Sequence, residues 1–85
     1  MDAIILRDYD NLQEIDSRSQ TQTQYGNIRV SLYRVTADIA KAKAGDLLLI
    51  EEDADHREYL LDTDEAQTAL ADTDAYLRDA ADAWA

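Results

Sequence analysis

The sequence contains no cysteine, no proline and no phenylalanine, and only two glycines and two lysines in 85 residues. Without cysteine there is no disulfide staple, no thiolate nucleophile and no cysteine-based zinc site, and thiol pairing says nothing of the redox compartment. Without proline, and with no internal repeat, nothing marks an interdomain linker, so residues 1–85 read as a single domain. A domain of this size buries only roughly 60 to 65% of the surface its unfolded chain exposes, so its core is thin. The apolar run Ala3-Ile4-Ile5-Leu6 is far too short for a membrane span, and Met1-Asp2 ahead of it supplies no basic leader. The expectation is a soluble chain of the cytoplasm.

What is present in excess is acid. The formal net charge is -11, from nineteen acids and eight bases. Residues 1–45 carry six of each (Asp2, Asp8, Asp10, Glu14, Asp16 and Asp38 against Arg7, Arg18, Arg29, Arg34, Lys41 and Lys43) and sum to zero. Residues 46–85 carry thirteen acids against Arg57 and Arg78 alone, so the whole net charge lies in the C-terminal 40 residues. Such an asymmetry repels nucleic acids and anionic membranes and steers toward a basic protein surface.

The elements sketched by the pattern are those of a small α+β domain with a mainly antiparallel sheet, a short central helix and a C-terminal amphipathic helix. Ala3 to Leu6 suits a short strand, although Ile5, Tyr9, Leu12 and Ile15 also recur at helical spacing. The uncharged tract that follows Arg18, "SQTQTQ", allows a loop or an exposed edge strand. In "NIRVSLYRV", Ile28, Val30 and Leu32 alternate with Arg29, Ser31 and Tyr33, as in a half-buried strand; Leu32, Val35 and Ile39 also share a helical face, which permits a longer helix instead. Thr36 as N-cap, Asp38 in the first turn, Lys41 and Lys43 in the last and Gly45 beyond predict a short helix over 37–44. Leu47 to Glu51 and Glu58 to Leu61 predict a hairpin joined by "EDADHR". From residue 66 on, the spacing predicts one helix whose stripe of Ala66, Leu70, Thr73, Leu77, Ala81 and Trp84 faces the core.

On that wheel Glu65, Asp72 and Asp79 form a row, spaced about 10 Å apart along the helix, with Asp64 and Asp82 beside it. Asp74 sits elsewhere, within i+4 reach of Arg78. The hairpin adds a second cluster of Glu51, Glu52, Asp53, Asp55 and Glu58. The three acids of the row and the five of the hairpin are the candidate contacts for a partner's lysines and arginines. Solubility alone needs a net charge of only about 2 to 8 in a small domain, and the surplus opposes compaction by self-repulsion. Carboxylates spaced along a surface imitate nucleic-acid phosphates, which recur every ~3.4 Å along each strand, and so fit basic sites built for DNA or RNA.

Small, acidic, cysteine-free α+β chains ending in an Asp/Ala-rich helix resemble phage-encoded DNA-mimic inhibitors, particularly anti-CRISPR proteins, and more distantly the acidic immunity proteins that block bacterial nucleases. The resemblance is carried by "LLLIEEDADHREYLL" and "DTDEAQTALADTDAYLRDAADAWA" and is one of size and charge layout, with no shared diagnostic motif. It implies a cytoplasmic protein that occupies the basic nucleic-acid groove of a CRISPR effector or similar enzyme and competes with DNA. The alternative is a structural or assembly protein of a salt-adapted organism or its virus, in which acidity serves solvation. Fourteen Asp against five Glu, with two Lys, suits that reading, and the neutral N-terminal half opposes it as the sole cause.

Sharper motifs are incomplete. A calcium loop begun at Asp53 meets Arg57 at its fifth place and Glu58 where the turn needs glycine. Acyl-carrier proteins resemble the chain in bulk, yet Ser17 is followed by Arg18 and a Gln/Thr tract instead of a hydrophobic helix. His56 stands alone among acids, with no nucleophile, phosphate loop or second histidine to complete a triad or metal site. No enzyme activity, cofactor or metal is expected. Tyr25, Tyr33, Tyr59 and Tyr76 suit the core or its edge; Tyr76, which flanks the acidic row, suits an interface anchor as the alternative.

Overall fold

The computed structural model describes residues 11–23, 26–38, 42–52 and 56–83. They form, in chain order, β1 (Leu12–Thr23), β2 (Gly26–Val35), β3 (Leu47–Glu52), β4 (His56–Leu60), α1 (Thr63–Ala71) and α2 (Thr73–Asp82). The four strands make one sheet in the order β1-β2-β3-β4 with every neighbouring pair antiparallel. This is the expected α+β class. No helix among the described residues is long and apolar enough to cross a membrane. The strand expected at Ala3 to Leu6 lies outside the described residues.

The polar tract resolves as strand: β1 runs through Thr23 at one edge of the sheet. Leu12 pairs with Val35 and Ser17 with Ser31, so the helical spacing of Leu12 and Ile15 has no helix behind it. An irregularity between Glu14 and Asp16 shifts the register and sets Ile15 against the helix-side core. β2 continues as strand to Val35, which removes the alternative of a helix starting at Leu32. The predicted hairpin is present, with Leu49 opposite Tyr59 and Leu48 opposite Leu60.

Both faces of the sheet are covered. On one, Val30, Leu32, Leu47, Leu49 and Leu61 pack with Ala69, Leu77 and Ala81 of the helices. On the other, Val35, Ala42, Leu48 and Ile50 form a second cluster, joined by Leu12, Tyr33 and Leu60. This explains the unbroken run Leu47 to Ile50, in which every residue is buried: a central strand with two dry faces needs apolar side chains at every position. It also corrects the expectation that Ser31 faces water, since Ser31 is 1% exposed on the second face.

The helix expected over 37–44 does not form among its described residues, Ala37, Asp38 and Ala42 to Ala44; residues 39–41 lie outside the description. The signals read as helix caps serve a loop instead. Val35 donates to the Asp46 carbonyl at 2.9 Å and accepts from the Gly45 amide at 2.8 Å, which closes the connection from β2 to β3. The Asp38 carboxylate accepts from the Ala44 amide and that of Asp46 from the Lys43 amide, each at 2.9 Å. Asp46 N–H bonds back to the Lys43 carbonyl at 2.9 Å, and Gly45, with φ +96°, takes the left-handed place in that turn.

The C-terminal segment is two helices, not one. Asp72 adopts φ -152° and ψ 84°, outside the helical region, and caps α2 by accepting from the Ala75 amide at 3.1 Å. Thr73 bridges the break by donating its hydroxyl to the Ala69 carbonyl at 2.9 Å. Asp62 caps α1 in the same way, accepting from Glu65 N–H at 2.8 Å. The break turns α1 away from the single wheel: Ala69 is fully buried and Leu70, expected in the core, is 48% exposed. Leu77 and Ala81 keep their expected burial, and Trp84 lies outside the described residues.

Candidate functional site

Strand alternation sorts the acids of the hairpin. Glu51 pairs with Val30 and Arg57 on the helix-bearing face of the sheet, whereas Glu52 and Glu58, opposite Arg29 and Ile50, belong to the other face. Glu52 is exposed, while Glu58 is 5% exposed on that second covered face, so its carboxylate is withdrawn from any docking surface. Asp53 and Asp55 lie outside the described residues. The single cluster expected of Glu51, Glu52, Asp53, Asp55 and Glu58 therefore divides: a period-2 strand cannot point adjacent residues the same way.

Glu51 shares the face of the helix row without lining its groove. The row itself assembles despite the break: Glu65 on α1, Asp72 at the break and Asp79 on α2 line one groove together with Thr68, Ala75, Tyr76 and Ala80. Leu49 of β3 forms its floor, and the cavity holds about 460 Å³. α2 packs on β1 and β2, and β3 carries the groove beside it. The approximately 10 Å spacing expected of a continuous helix does not carry over, because Asp72 separates two helix axes.

Tyr76 is hydrogen-bonded to the first acid of the row. Its hydroxyl donates to Glu65 Oε1 at 3.2 Å. Burial raises the phenol's pKa above its usual value, and the negative charges of Glu65 and Glu51 raise it further. Tyr76 thus remains a neutral hydrogen-bond donor. Tyr59, 39% exposed on the same sheet face, is also raised, by burial first and then by Glu51, with which its phenol shares a hydrogen bond. Glu51 therefore acts on both phenols.

Three of the arginines pair with acids outside the groove, while Arg57 lies opposite Glu51 on the helix-bearing face. Arg18 of β1 and Arg78 both pair with Asp74 on the β1 side of α2, and Arg18 also reaches Asp16 at 3.0 Å. The Asp74 carboxyl is held below the ordinary range, first by its hydrogen bond from Arg18 and then by that from Arg78. Arg29 pairs with Glu14 at 3.0 Å on the opposite face. Among the described residues, no basic side chain stands within ion-pair distance of Glu65, Asp72 or Asp79. Nor does any group of three His, Asp or Glu among the described residues have a metal-holding arrangement.

The i+4 pair of Asp74 with Arg78 was legible from spacing, but its second partner was not, because Arg18 is 56 residues away in sequence and on another element. The helix break did leave a signal: "DTD" occurs at 62–64 and again at 72–74, and each first Asp is an N-cap. No family model, curated protein or solved structure matches this chain.

Proposed function

We propose that the protein is a non-enzymatic inhibitor that docks its acidic groove face onto the basic nucleic-acid-binding surface of another protein and competes with DNA for it. The observation that carries this reading is the convergence of Glu65, Asp72 and Asp79 on one groove, with Glu51 acting on the same tyrosine, while Arg18, Arg29 and Arg78 pair with other acids. Charge left uncompensated on one face steers association with a basic partner and repels DNA itself. Each carboxylate accepts hydrogen bonds from Lys or Arg, bidentately where the geometry of Arg allows. A CRISPR effector subunit met in the host cytoplasm is the partner class implied by the resemblance to phage-encoded DNA mimics.

Replacing Glu65 by Gln and Asp72 and Asp79 by Asn tests the reading. Asn also caps helices, so α2 retains its N-cap, and the circular dichroism spectrum should be unchanged. Binding to a basic partner and displacement of its DNA should fall by tenfold or more, on the order of 1.4 kcal/mol. Unchanged affinity would remove the groove acids from the interface. An apolar assembly role, in which charge serves only solvation, instead predicts association that holds or tightens as salt rises.

A further inference from the structure

We propose that the groove between α1, α2 and β3 is an arginine-selective anchor site, taking one arginine side chain of the partner with its stem on Leu49 and its guanidinium between Tyr76 and the Glu65, Asp72 and Asp79 carboxylates. This deepens the reading of this face as a partner-binding surface and rests on it. Three features of the groove select the occupant. Its open cavity of about 460 Å³ exceeds the space of a water molecule many times over and lies in the volume range of small-ligand sites. Its floor and walls include Leu49, Ala75 and Ala80, which suit the three-carbon stem of an arginine, a chain that buries its methylenes while its head stays polar. Its rim is acidic, and among the described residues no cation stands within ion-pair distance of Glu65, Asp72 or Asp79, although Arg78 acts on Asp72 at longer range, so the rim offers acceptors to an incoming cation.

Arginine is favoured over lysine by the aromatic wall. A planar guanidinium stacks on a tyrosine ring and offers parallel N–H groups to carboxylates, whereas an ammonium is a compact, strongly hydrated charge that gains less from either. The hydrogen bond from Tyr76 to Glu65 Oε1 at 3.2 Å links ring and carboxylate, so the stacking surface and one acceptor are positioned together before a ligand arrives.

The probes are three short peptides that differ at one central residue: arginine, lysine, or citrulline, the neutral isostere of arginine. Each is titrated into the isotope-labelled full chain and followed by amide chemical shifts. The expected result is saturable shifts at Leu49, Tyr76 and Ala80 with the arginine peptide, roughly tenfold weaker binding of the lysine peptide, and no binding of citrulline. Tyr76→Phe should keep the preference for arginine and Tyr76→Leu should abolish it, the amide spectrum reporting that each remains folded. Equal affinity for arginine and lysine, or shifts spread over the acidic surface without the groove, would overturn the inference. If the groove stays silent while the protein still displaces DNA from a basic partner, the anchor site fails and the broader reading stands. If the arginine peptide saturates the groove but no DNA-binding protein loses its DNA, the anchor site stands and the proposed function fails.

Discussion

Asp74 accepts from Arg18 on β1 and from Arg78 one turn along its own helix, so one carboxylate fastens the first described strand to α2. A carboxyl whose folded pKa is depressed contributes stability that is complete above its unfolded value, here near 3.8, and is lost as pH falls through the folded value. In urea midpoints measured at pH 6, 4 and 3, the difference between the wild type and a variant without this carboxylate should therefore shrink on acidification. The Asp74→Asn variant should be less stable at pH 6 and lose less between pH 6 and 3. Equal slopes for the two proteins would show that the bridge is a surface pair without linkage to folding. At this scale the sequence is least informative. Spacing reveals Arg78, four residues on, but nothing local distinguishes Arg18, and nothing in "EEDADHREY" shows that Glu58 is buried until the second face of the sheet is seen to be covered.

The elements follow from local chemistry more than from periodicity. α1 begins where Asp62 accepts the Glu65 amide, and Asp62→Ala should cost about 1 kcal/mol of folding stability, read as a shift in urea midpoint at constant slope. Gly45 holds φ +96° with open space around the position of a Cβ, so the expense of a side chain there is backbone strain alone. Gly45→Ala should destabilise by roughly 1 to 2 kcal/mol, and Gly45→Asn by less, since Asn tolerates the left-handed region. A neutral Gly45→Ala would mean that the turn relaxes to another form. Alternation in "NIRVSLYRV" and the apolar run "LLLI" made β2 and β3 legible, because strand geometry fixes which side chains share a face. The same residue types misled at 36–45, where Asp38, Asp46 and Gly45 complete a loop through side-chain and turn hydrogen bonds of its own. A wheel drawn through Asp72 misplaced Leu70 for a related reason: an N-cap interrupts phase, and Asp72 is one.

For the whole molecule the governing quantity is a net charge of -11 carried by the C-terminal 40 residues. Self-repulsion opposes the compact state and is screened by salt over a Debye length of about 10 Å at 0.1 M. The thermal midpoint should rise from low salt to about 0.5 M sodium chloride, where the Debye length shrinks toward a few ångströms, while affinity for a basic partner falls over the same range. A midpoint that does not move would mean that the acids are already neutralised within the fold. Charge segregation was legible in the sequence, and so was the row of Glu65, Asp72 and Asp79; the groove, its Leu49 floor and the transfer of Glu51 to this face required the sheet. The most direct measurement is capture of DNA-binding proteins from a bacterial lysate on the immobilised chain, followed by elution with duplex DNA, alongside the triple variant Glu65→Gln, Asp72→Asn, Asp79→Asn. The account predicts a nucleic-acid-binding protein held at low salt by the wild type, released by DNA or by raised salt, and not retained by the triple variant. Proteins retained equally by both chains and indifferent to DNA would contradict it.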